Sequence, residues 1–177
     1  DGQPALFVQS GNGADRRRIH FDGAANPIPG NGTDLEVRDG TILAMGPLRW
    51  SPDGNRLAVV VTLAFDQSEI VVVGEDGANA TVASVNTQII LGRPDWSADG
   101  VRLVYAMSTL PEAAGVDAFS TDLATATVNR LTTGAELGGP GDELRFAADG
   151  ESVLWSKAAP TGDDALANPM TTIQRLA

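Results

Sequence analysis

The chain contains no cysteine and a single histidine, His20. The first absence excludes disulfide staples and thiolate catalysis, but it does not identify the compartment, because cysteine-free proteins occur on both sides of a membrane. The second makes any Ser-His-Asp mechanism depend on His20, which sits at an alternating position of a β-like run. No Gly-x-Ser-x-Gly elbow is present to supply the nucleophile. Lysine is reduced to Lys157 against eleven arginines, a bias that fits a GC-rich bacterial coding sequence. Basic charge is scarce overall: 12 Lys and Arg face 23 Asp and Glu, for a formal net charge of −11. Such a surface argues against nucleic acid, whose phosphates are gripped by clustered Lys and Arg, and disfavours docking on anionic lipid headgroups. No apolar run reaches the ~18 residues of a spanning helix, and no stretch shows sustained helical periodicity.

What the chain does have is a repeated phrase. Trp50-Ser51-Pro52-Asp53-Gly54, Trp96-Ser97-Ala98-Asp99-Gly100 and Phe146-Ala147-Ala148-Asp149-Gly150 each precede an apolar run, and their aspartates lie 46 and 50 residues apart. That period is the length of a four-stranded propeller blade. Asp hydrogen-bonds the backbone two residues on and Gly accepts a positive φ, so Asp-Gly between two β-prone runs forms a hairpin connection for mechanical reasons. The strands that follow begin at Arg56, Arg102 and Ser152. Further β-like runs, Glu69 to Val73 turning at Asp76-Gly77 into Thr81 to Val85, and Val116 to Ser120 leading to Thr127 to Leu131, bring each unit to four strands. Thr171 to Leu176 closes a third, less regular unit. The expectation is all-β.

The phrase and the Ile-Val-Val-Val-type strand after it resemble the TolB-like, WD-type β-propeller repeat. The likeness covers roughly residues 48–177 and is specific for fold, whereas such propellers serve transport, scaffolding, binding and peptidase domains alike. It implies a single propeller of about three to four blades, incomplete or open: residues 1–47 as an outer half-blade plus an inserted hairpin, 48–92 and 93–140 as blades, and 141–177 as a degenerate blade in which Phe146 stands for Trp and Ala147-Ala148 for Ser-Pro. The half-blade is read from Leu6 to Ser10 and Arg16 to Phe21, and the inserted hairpin from Leu35 to Arg38 and Thr41 to Met45 around Asp39-Gly40. Closed propellers use ~4–8 blades, so an open edge is expected.

The structural repeat residues are therefore Trp50, Asp53, Gly54, Trp96, Asp99, Gly100, Phe146, Asp149 and Gly150, with the rings wedged between blades and the aspartates in turn hydrogen bonds. Neither a catalytic constellation nor a cofactor or metal set is expected. The acidic loops Gly74 to Gly77 and Gly162 to Asp164 lack the Asp-x-Asp-x-Asp-Gly spacing that wraps calcium. Adjacent carboxylates such as Asp142-Glu143 point to opposite faces if they lie on a strand. Arg16, Arg17 and Arg18 are read either as a solvated outer face or as a grip on an acidic partner, and Trp155 as either core or an interface anchor. The sequence reading is a non-catalytic protein-binding scaffold subunit in a hetero-oligomeric assembly; the resemblance places it in the bacterial periplasm or on the outer face, associated with a membrane only through a partner or an anchor. The alternative is a propeller fragment of a larger enzyme, such as a prolyl-oligopeptidase-like peptidase, that binds or gates substrate.

Overall fold

In a computed structural model of the chain, the residues described are 2, 4–21, 24–25, 27–28, 37, 39–84, 89–108, 116–133, 144–156 and 171–175. They form thirteen strands and no helix. Strands β1 (Leu6–Val8) and β2 (Arg17–Ile19) make a two-stranded antiparallel sheet. Strands β3 (Ala44–Trp50), β4 (Arg56–Ala64), β5 (Gln67–Gly74) and β6 (Thr81–Val82) make a four-stranded meander. Strands β7 (Ile90–Trp96), β8 (Arg102–Ser108), β9 (Val116–Asp122) and β10 (Thr127–Arg130) repeat it. Strands β11 (Leu144–Phe146), β12 (Ser152–Ser156) and β13 (Thr171–Arg175) form a third meander, in which three strands are described.

The central strands are apolar on both faces, which a sheet requires when it is packed on both sides. On β4 the residues alternate between two cores: Leu57, Val59 and Val61 pack with Val71, Val73, Ile19 and Phe21, while Ala58 and Val60 pack with Leu103, Tyr105 and Phe119 of the second meander. The pattern recurs on β8, whose Val104 and Ala106 turn the other way to meet Leu144, Val153 and Trp155. Three apolar layers thus lie between four successive sheets. Stacked sheets joined only to their neighbours are the packing logic of a blade array.

The registers also align the repeats. Trp50 opposes Leu57, Trp96 opposes Leu103 and Phe146 opposes Val153, so the three phrases occupy the same place in each meander. The reading of residues 41–45 as half of a separate hairpin is corrected. Thr41 to Leu43 precede β3, whereas Ala44 and Met45 pair with Thr62 and Val61 and open the first meander. Asp39-Gly40 does turn, but the strand after it is captured by the long β4. The proposed first arm of that hairpin, and the loops at residues 29–36 and 157–170, lie largely or wholly outside the described residues.

Candidate functional site

At each phrase the aspartate closes the turn. Ser51 Oγ donates to Asp53 Oδ1 at 2.5 Å and the Asn55 amide donates to the same oxygen at 3.2 Å. Ser97 Oγ and the Val101 amide repeat this on Asp99 at 2.5 and 3.0 Å. The serine bond, seconded by the backbone amide, holds both carboxyls below their ordinary pKa of 3.8. In the third turn Ala147 has no hydroxyl to offer; Ser152 replaces it from the far side, its Oγ donating to Asp149 Oδ2 at 2.7 Å and its amide to Oδ1 at 2.8 Å. Gly54, Gly100 and Gly150 adopt φ of +75°, +71° and +68°, the left-handed conformation that makes glycine the fitting residue there.

A second repeat was not anticipated from the sequence. Arg56, at the start of β4, lies over the Trp96 ring at 5.1 Å and donates to the Gly100 carbonyl at 2.8 Å. Arg102, at the start of β8, lies over the Phe146 ring at 5.6 Å and donates to the Gly150 carbonyl at 2.5 Å. Each arginine therefore clamps the phrase of the next sheet, combining a cation–π contact with a charge-assisted hydrogen bond. The corresponding position in the third meander is Ser152. The recurrence of Arg three residues after two of the three aspartates was the available signal, but its partners lie 44 and 48 residues away.

The three aromatics do not share one environment. Trp96 is 5% exposed, its Nε1 donating to the Arg49 carbonyl at 3.0 Å, and Phe146 is half-buried. Trp50 is 39% exposed, contrary to the expectation that it is wedged between sheets. No arginine clamp among the described residues covers it. Beside it opens a cleft of about 490 Å³ between the first strands of the two four-stranded meanders, lined by Leu48, Arg49, Trp50, Pro52, Arg93, Asp95 and Trp96. Asp95 fixes its floor: one oxygen pairs with Arg49 Nε at 3.2 Å and the other accepts the Phe146 amide at 3.0 Å, tying three sheets together. Arg93 and Trp50 present an exposed guanidinium and an exposed indole to the same cleft.

All four residues considered as partner contacts lie among the described residues. Trp155 is 4% exposed and packs with Val104, Ala106 and Val153, so it is core and not an interface anchor. The arginine run is exposed but engaged within the chain: Arg16 lies over Phe7 at 4.1 Å, Arg17 donates to the Glu75 carbonyl and Arg18 pairs with Asp39 at 3.1 Å. His20 Nδ1 is 2.7 Å from the same Asp39, which also accepts the Phe21 amide at 3.0 Å. Partial burial opposes the charge on Asp39, but these donors together bring its pKa below the ordinary value. The group fastens the two-stranded sheet to the segment leading into β3, which is a structural task. Among the described residues no cluster of three or more His, Cys, Asp or Glu could hold a metal, and no helix is long and apolar enough to cross a membrane.

Two buried acids occupy equivalent register positions. Asp117 opposes Met107 on β8, and Glu69 opposes Val61 on β4. Asp117 is bonded to Arg130 and accepts from Thr132 Oγ1 at 2.9 Å. In the first meander the counterpart of Arg130 is Val82, and both Glu69 oxygens are buried without a hydrogen-bond partner among the described residues. Burial pushes the Glu69 carboxyl up to about 7.

No family model matches this sequence, and no curated protein matches it. Solved structures do match. TolB from Acinetobacter baumannii superposes with a TM-score of 0.62 at 17% identity, over 97% of this chain and 37% of that one. The β-propeller domain of the Trilobed protease from Pyrococcus furiosus, described as having an open velcro topology, gives 0.56 at 15% identity over 76% and 40%. Oligogalacturonate lyase from Vibrio parahaemolyticus gives 0.61 at 13% identity over 95% and 41%. The fold is that of a partial, TolB-like β-propeller, and the chain spans about two fifths of the length of these structures.

Proposed function

We propose that the chain is a non-catalytic, protein-binding propeller element that acts outside the bacterial cytoplasm and stabilises a larger, membrane-associated assembly. The observation that carries this reading is the contrast between the sheet interfaces, which are sealed by apolar layers and arginine clamps, and the first phrase, where Trp50, Leu48 and Arg93 are left exposed around a cleft. A rigid sheet array that presents an exposed indole beside a guanidinium is a binding surface in composition, since Trp and Arg dominate the anchors of protein interfaces. The test is affinity capture from bacterial envelope fractions, with light scattering on the isolated protein. A defined hetero-complex lost in Trp50→Ala is the expected result; a stable monomer that recovers no partner sinks the proposal.

A second reading, a propeller portion of a larger enzyme, is supported by the likeness to structures named as a protease domain and a lyase. The intact mass of the natural protein separates the two, because the enzyme reading requires an extended chain carrying a catalytic domain.

A further inference from the structure

The buried acids of the first two meanders meet different surroundings. Asp117 is fully buried, and its charge is answered inside its own meander: Arg130 pairs with it and Thr132 Oγ1 donates to it at 2.9 Å. The Arg130 side chain is 42% exposed, so the ion pair is led out to water. Backbone bonds fix the equivalence with Glu69. Thr132 Oγ1 accepts the Ala118 amide at 3.0 Å, and Ser84 Oγ accepts the Ile70 amide at 2.8 Å. Ser84 therefore stands where Thr132 stands and Val82 where Arg130 stands, but Val82 brings no charge and both Glu69 oxygens are buried without a hydrogen-bond partner among the described residues. The difference lies within the meander itself, in what β6 and the residues just after it supply.

Side chains alternate along a strand, so Glu69 shares its face of β5 with Val71 and Val73, and its register partner Val61 lies on the same side. These residues belong to the layer that joins the first meander to Ile19, Phe21 and Ile42, whereas Ile70 and Val72 point into the second layer. Charged groups on the elements around this layer are engaged elsewhere: Arg17 with the Glu75 carbonyl, Arg18 and His20 with Asp39, Arg49 with Asp95 and Arg56 with the Gly100 carbonyl. Asp66, Glu75 and Asp76 stand in exposed turns at the two ends of β5. Burial alone displaces the Glu69 carboxyl, pushing it up to about 7.

We propose that the first apolar layer is a pH-gated seam, held shut by the proton on Glu69 and parted when that proton is lost, while the second and third layers stay closed. An ionised carboxylate that meets neither an arginine nor a hydroxyl must gain water, and the layer it faces is where water enters. The acid titrates near 4.5 once hydrated and near 7 while sealed, so the closed seam loses its advantage as pH rises from 4.5 to about 7 and loses no more above it. The second layer, which Asp117 faces with Arg130 as counter-ion, contains no unanswered acid of this kind.

The chain has no cysteine, so a single introduced thiol reports on one layer at a time. Val59→Cys places it in the first layer and Val104→Cys in the third, both at fully buried positions. Labelling by dithiodipyridine is compared at each pH with the same protein carrying Glu69→Gln, which cancels the thiol's own ionisation. The Val59→Cys ratio is expected to rise about tenfold per pH unit from 4.5 to about 7 and then to level off. Val104→Cys should label at least about tenfold more slowly than Val59→Cys throughout, since the third layer opens only with the whole stack. A flat Val59→Cys ratio overturns the role of Glu69, and equal labelling of the two thiols overturns the seam, because the stack then opens as one. Glu69→Met, apolar and of similar length, must behave as Glu69→Gln does. Should a thiol variant fail to fold, amide exchange of β2 in the natural sequence against Glu69→Gln makes the same comparison, with the same ratio expected and a flat ratio again fatal.

Discussion

A carboxyl group sealed from water is tolerated best in its neutral form, and for Glu69, which has no hydrogen-bond partner among the described residues, that condition has a measurable consequence. Its pKa in the folded chain, about 7, lies above the ordinary 4.5, so the folded state holds the proton more tightly than the unfolded state. The resulting stabilisation is complete below pH 4.5 and is lost as pH rises to about 7, a decline on the order of 3 kcal/mol. Asp39, Asp99 and Asp122 have the opposite sign: hydrogen bonds from neighbouring groups hold their pKa values below 3.8, and the stability they confer is lost as pH falls through that range. Denaturant midpoints measured against pH should therefore peak near about pH 4–5, and Glu69→Gln should flatten the alkaline limb while leaving the acid limb in place. An alkaline limb unchanged in that variant would show that Glu69 is not its source. Nothing in the sequence marked Glu69, since an acid at the head of an apolar run reads as an edge or a surface position until the neighbouring sheet is known.

At the scale of the turn and its strand, two expectations follow from the clamps. Gly100→Ala places a Cβ in a left-handed conformation and 3.1 Å from the Arg56 guanidinium, and should cost about 1–2 kcal/mol by thermal melting. Trp96→Ala removes a ring that is 5% exposed together with its Nε1 bond and the seat of Arg56, and should cost ~3–5 kcal/mol. A melting temperature unchanged in Trp96→Ala would place that ring outside the core. The phrase itself was legible because its chemistry is local: Asp and Gly act within two or three residues of their own position. The clamps were not, because Arg56 and Arg102 act on the next repeat, and strand propensity carries no information at that distance. The misread hairpin at residues 41–45 has the same origin. Asp39-Gly40 is a true turn signal, but Ala44 and Met45 after it pair with the long apolar β4, a partner that the turn itself does not announce.

For the whole molecule, the repeat period announced sheets of blade length, while their stacking emerges only from the structure, in which β4, β5, β8 and β9 are buried along nearly their whole length. What the period alone did not convey was the asymmetry of the stack, with Trp50 exposed while Trp96 is buried, because the three phrases look alike until their neighbours are placed. Removal of divalent ions by chelator should leave the melting temperature where it is, since the described residues hold the sheets together without a metal-ligand cluster.

The three apolar layers also dictate how the molecule comes apart. Each layer belongs to two adjacent sheets and to no others, so the loss of one sheet strips a face from its neighbour but leaves the sheet beyond it untouched. Cooperativity in such an array is a nearest-neighbour quantity, and opening should begin at the ends and travel inward. Amide hydrogen exchange would record this as a gradient: β1, β2 and β11 exchange early, while the amides of β4, β5 and β8, hemmed in by a layer on either side, exchange only when the entire stack has dissolved.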